Sequence, residues 1–140
     1  MLNVLDGVIN QNRFDVDVTD GVIASGIEGL WVAPQTNGKY DFEENAKVAF
    51  CIWTESSKDG EVGFTEDANY LKKVAVLGGG GWRGETDQFE GTPTAGTELE
   101  VSATGTLEAG STYPVAVCLK AKYNKVWNGR TIEVIEFVTK

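Results

Sequence analysis

Apolar and polar residues alternate along much of this chain, and the alternating stretches are bounded by glycine-bearing turn pairs. No other feature constrains the fold as much, because a period of two buries one face of an extended strand and wets the other. In Arg13–Val18, Phe14, Val16 and Val18 share one face while Asp15 and Asp17 share the opposite one. In Glu98–Ser102, Leu99 and Val101 point inward and both glutamates point outward. In Pro114–Lys122, Val115, Val117, Leu119 and Ala121 line one face, with lysines on the other. Further strands are expected over Ile27–Ala33, Lys47–Thr54, Glu61–Phe64, Lys73–Leu77, Gly105–Glu108 and Thr131–Val138. Asp6-Gly7, Asp20-Gly21, Asn37-Gly38, Asp59-Gly60 and Asn128-Gly129 carry the residue types that tight hairpin turns favour. One short helix is expected near residues 65–72, with Thr65 as its N-cap and acids in its first turn. The expectation is an all-β fold, a single barrel or sandwich with hairpin connections. It covers residues 13–140, preceded by an N-terminal arm at residues 1–12.

Composition removes whole classes of function. The 140 residues carry 12 basic and 21 acidic side chains, a net charge of −9, and no histidine. An acidic chain repels a phosphate backbone, so no nucleic-acid partner is expected. Without imidazole, the commonest general base and the commonest zinc or iron ligand are both missing. Serine and cysteine nucleophiles therefore lack their usual partner, and no enzymatic activity, cofactor or metal is expected. The longest apolar run, Val48–Trp53, is far shorter than the ~20 residues that span a bilayer, so no membrane partner is expected. Residues 1–10 hold neither a basic segment nor a long apolar stretch, so no secretory signal is expected.

Several local patterns imitate functional motifs. Gly79-Gly80-Gly81-Trp82-Arg83-Gly84 matches G-x-G-x-x-G and follows a strand. A dinucleotide site would require a helix next, but residues 85–96 have no helical periodicity and bring three acids. The run reads as a flexible, exposed glycine loop. Asp15, Asp17 and Asp20 approach a calcium loop, but the spacing is wrong and Gly26 stands where a bidentate glutamate belongs. A solvated acidic strand edge, which discourages stray strand pairing, accounts for them better. Cys51 and Cys118 each lie in an apolar run and read as buried thiols, although the sequence leaves their pairing open. Trp31 and Trp53 fall in strand-like runs and should pack in the core. Trp82 and Trp127 stand beside glycine-bearing loops, where an exposed indole suits a sugar-stacking site or a protein interface.

The second half of the chain has an ordered series. Gly96, Leu99, Val101, Ser102, Gly105 and Leu107 form a "G-x-x-L-x-V-S-x-x-G-x-L" stretch. Val115-Ala116 and Ile132-Glu133-Val134 follow on later strands. Over roughly Val74 to Val138 this series resembles the head decoration (cement) proteins of tailed bacteriophages. The resemblance implies a non-enzymatic β domain, made in the host bacterial cytoplasm, that joins the outer capsid surface of the virion. It also implies a homotrimer that binds the major capsid protein and clamps neighbouring shell subunits. Interface residues are then expected in the arm, at Leu2, Val4 and Leu5, and on the second face of the C-terminal strand, at Ile135 and Phe137. Trp82 and Trp127 are the loop candidates. Two other readings stay open: a tail or fibre domain of a virion, and a carbohydrate-binding module that stacks glycans on Trp82, Trp127 and Tyr123.

Overall fold

The computed structural model describes residues 1–7, 13–25, 27–53 and 73–140. The described residues form eleven strands and one short helix, numbered along the chain. One sheet has six strands, in the spatial order β1 (Leu2–Asp6), β7 (Arg83–Thr86), β11 (Arg130–Thr139), β10 (Ala116–Trp127), β8 (Glu98–Val101) and β9 (Leu107–Ala109). The other has five, in the order β2 (Arg13–Asp17), β6 (Lys73–Leu77), β5 (Phe50–Ile52), β3 (Trp31–Pro34) and β4 (Tyr40–Asp41). All neighbouring strands run antiparallel. The fold is all-β, as the period-two pattern requires.

The two sheets share one core. Trp31, Cys51 and Leu77 from the five-stranded sheet meet Leu2, Trp82, Leu99, Val101, Leu107, Ala116, Cys118, Ile135 and Phe137. Trp31 stacks on Trp82 with centroids 6.3 Å apart and planes 7° from parallel, and Phe137 meets Trp82 edge-on at 5.4 Å. The five-stranded sheet also curls until its outer strands touch. Val18, just beyond β2, bridges Tyr40 of β4, and the Thr19 N–H donates to the Tyr40 carbonyl at 3.1 Å. Inside that curl a second cluster gathers Val16, Val18, Leu30, Val32, Ile52, Val74 and Val76. The helix α1 (Asp20–Ser25) lays the fully buried Val22 against it.

Several expectations need correction. Asp20-Gly21 opens α1 instead of a hairpin; Asp20 lies in the first turn, where a carboxylate suits the helix dipole. In β10 the inward face carries Ala116 and Cys118, whereas Leu119 is 38% exposed. The run Val115–Leu119 is apolar in both phases, so alternation alone could not choose. The neighbours choose: Ala116 stands opposite Leu99 and Thr139, and Cys118 opposite Phe137, and directly opposed side chains share a face. Small residues there leave room for the three large rings. Glu100 does not face water either. It is buried, and its Oε2 accepts from the Tyr113 N–H at 2.9 Å.

Residues 2–6 of the expected arm are a strand of the main sheet, paired with β7 from Leu2↔Thr86 to Asp6↔Arg83. The Met1 amine is ion-paired with Asp87, which fastens the segment further. The glycine run is followed by strand β7, with no helix, and it is held in place. Gly80 lies so close to the Lys140 carbonyl that a Cβ would collide with it, and the Gly81 N–H donates to the Thr139 carbonyl at 3.0 Å. The expected helix at residues 65–72, the strand Glu61–Phe64 and the turn at Asp59-Gly60 lie outside the described residues.

Candidate functional site

The seven residues expected at an interface do not form one surface. Ile135 and Phe137 are fully buried and Leu2 is 3% exposed, because all three belong to the core between the sheets. Trp82 is 1% exposed. Its backbone is pinned on both sides: its N–H donates to Thr139 Oγ1 at 3.2 Å, and the Thr139 N–H donates to its carbonyl at 3.0 Å. That pairing turns the indole inward, onto Trp31, and away from a loop tip. Val4 packs half-buried against the same core, and only Leu5, at 39%, is counted among the exposed apolar residues. Trp127 remains half-buried at the end of β10. With Trp82 in the core, an aromatic platform made of Trp82 and Trp127 does not exist.

What the sequence reading missed is the ribbon that carries Trp127. β10 and β11 pair from Ala116↔Thr139 to Trp127↔Arg130. Their neighbours cover only its base, since β8 reaches Ala116 and Val117 and β7 reaches Ile135–Val138. From Lys120 to Val134 the hairpin therefore continues as two strands, with no third strand paired to it among the described residues. Asn128 (φ 49°) and Gly129 (φ 76°) close it in the left-handed geometry of a tight hairpin turn. Val126, next to the turn, is 72% exposed, the most exposed large apolar side chain among the described residues. A sequence signal existed in the long alternation of Lys120, Lys122 and Val126 with Tyr123 and Lys125, but its length relative to β8 and β7 could not be read.

A buried carboxylate anchors the ribbon to the sheet. Glu85 on β7 is 5% exposed and accepts from Asn3 Nδ2 at 2.6 Å, from Lys125 Nζ at 3.0 Å and from the Tyr123 hydroxyl. Burial alone would raise its pKa, but the bonds from Tyr123, Asn3 and Lys125 outweigh it and hold the carboxyl below its ordinary range. Burial and the same carboxylate push the Tyr123 hydroxyl upward. Beside this cluster Arg83 bridges Asp6 at 2.8 Å and Glu136 at 3.2 Å. Tyr123 also supports Lys120, whose ammonium sits 4.0 Å above its ring.

Charge is segregated between ribbon and body. Residues 118–134 hold four cations, Lys120, Lys122, Lys125 and Arg130, against one acid, Glu133; that stretch is +3 and the other described residues sum to −9. Carboxylates crowd beside β9. Burial, together with Glu90, Glu44 and Glu100, holds the Glu108 carboxyl above its ordinary range. Glu90 and Glu108 flank a shallow groove of about 480 Å³ that Thr92 and Pro93 also line.

Among the described residues no group of three or more histidine, cysteine or acidic side chains is gathered to hold a metal. Cys51 and Cys118 are both buried free thiols, and burial raises the pKa of each. No protein-family model, curated protein or solved structure matches the chain.

Proposed function

We propose that this chain is a structural protein of a bacteriophage virion, a head decoration protein that binds the outer surface of the capsid and clamps neighbouring major capsid protein subunits. One observation carries the reading. The positions that resemble the decoration family fall on a contiguous unit of one sheet, on or beside β9, β8, β10 and β11. The motif has a physical meaning there. Ser102 Oγ accepts from the N–H groups of Thr104 and Thr106 at 3.3 and 3.2 Å, while Gly105 turns the chain at φ +84°. A Cβ at Gly105 would collide with the Phe42 ring. Serine, glycine and the flanking leucine and valine thus specify one tight β8–β9 hairpin with Leu99, Val101 and Leu107 inside.

A rigid β domain of this kind acts by adding many moderate contacts to a shell, and multivalency makes the sum strong. The ribbon supplies an exposed apolar and basic element for such contacts. The test is the copy number of the chain in purified particles, measured by quantitative mass spectrometry against the main shell protein. A ratio near one supports decoration, a handful of copies moves the chain to a tail or fibre, and absence from particles overturns the reading.

A further inference from the structure

We propose that the β10–β11 ribbon of one copy docks in the acidic groove beside β9 of a second copy, so that the isolated chain associates head to tail. The inference goes beyond shell binding and does not depend on it. Three observations point to a second copy as the occupant. The ribbon concentrates +3 while the other described residues carry −9, so the complement of the ribbon is the body of the same protein. Val126, 72% exposed, and the half-buried Trp127 lie at the ribbon's end, an apolar tip beside the cation Arg130, while Lys125 on the same strand is held by Glu85. The β9 groove offers the reverse, two carboxylates around Thr92 and Pro93 in a depression of about 480 Å³. Burial first, and then the neighbouring carboxylates, hold the Glu108 carboxyl above its ordinary range, and an incoming cation would relieve the like-charge part of that cost.

The charge distribution also decides the symmetry of the contact. A two-fold interface that placed ribbon against ribbon would bring two +3 elements together, and groove against groove would bring carboxylates together. Ribbon against groove joins opposite charges. Such a heterologous contact leaves an unused ribbon on one copy and an unused groove on the other, and it continues until a ring closes or a filament grows.

Sedimentation velocity of the full chain, at about 0.05 M and about 0.5 M salt, reads the association, which should weaken in high salt. Two double variants then test the surfaces: Lys120→Glu with Arg130→Glu, and Glu90→Lys with Glu108→Lys. Each should weaken self-association about 30-fold or more. Mixing the two variants is the decisive step, because the intact ribbon of one fits the intact groove of the other and a one-to-one pair should form. A chain that stays monomeric up to about 0.1 mM overturns the proposal, since even weak specific contacts assemble there. Variants that associate like the wild type, or a mixture that forms no pair, overturn it too. If a variant loses its native tryptophan emission, carboxyl-to-amine cross-linking of the wild type replaces it. Intermolecular links between ribbon lysines and Glu90 or Glu108 support the contact, and their absence overturns it.

Discussion

Replacing Trp82 by alanine separates a core tryptophan from a loop tryptophan. The indole is 1% exposed, parallel to Trp31 at 6.3 Å and edge-on to Phe137 at 5.4 Å. Gly84 follows two residues later, and a Cβ there would come within 3.1 Å of both the Trp82 and the Phe137 rings, so the pocket has no slack. Truncating a large buried aromatic costs about 4 kcal/mol, lost transfer energy and cavity together. That is a large fraction of the roughly 5–15 kcal/mol by which domains are stable. With an m value of about 2 kcal/mol/M in urea, the unfolding midpoint should fall by about 2 M. Trp82→Phe, which keeps a ring against Trp31, should lose well under half as much. The assay is urea unfolding followed by far-UV circular dichroism, so that loss of the fluorophore does not confuse the readout. A surface indole would cost within about 0.5 kcal/mol. A midpoint shift below about 0.3 M would therefore refute the placement of Trp82 between the sheets.

Leu2→Ala should cost about 3 kcal/mol in the same unfolding assay, because Leu2 is 3% exposed in the shared core; a free arm would give no change. Glu85 has a lowered pKa in the fold, so its contribution is complete above the ordinary glutamate value of 4.5 and is lost as pH falls through the lowered folded value. Glu85→Gln should be less stable than the wild type at neutral pH, and thermal melts should show the gap narrowing as pH falls below that ordinary value. Cys51 and Cys118 are buried thiols with raised pKa values, so neither should react with an aromatic disulfide reagent in the native protein, while two thiols per chain should react in denaturant.

Strand content was legible wherever one phase of the alternation was polar. In β2 the pairs Asp15/Asp17 and Val16/Val18 allow one orientation only, and the structure adopts it. Where both phases are apolar, as at Val115–Leu119, orientation came from residues opposite in space, which no local window contains. Asn37-Gly38 and Asn128-Gly129 name their turns because the glycine supplies the positive φ. Asp20-Gly21 misleads because an aspartate before a buried valine serves a helix start equally well. The tryptophans show the deeper limit. Trp82 and Trp127 both stand beside glycine-bearing loops, and only the long-range bonds between Thr139 and Trp82 send one of them into the core. The reach of the ribbon was illegible for a related reason: it depends on how short β7 and β8 are, a property of its neighbours.

The position of β11 has a consequence for how the domain is made. It lies between β7 and β10, near the middle of the six-stranded sheet, although it is formed by residues 130–139. During synthesis β1 and β7 can pair with each other, and β8 can pair with β9 and β10, but apart from the single bridge Phe89↔Leu107 these two pieces share no ladder until β11 arrives. A nascent chain lacking β11 therefore presents two unpaired edges, one on β7 and one on β10, both flanked by core residues. Such edges are where chains pair with the wrong neighbour. β11 covers both of these edges at once, so the six-stranded sheet is closed to a wrong neighbour there only when that one strand is in place.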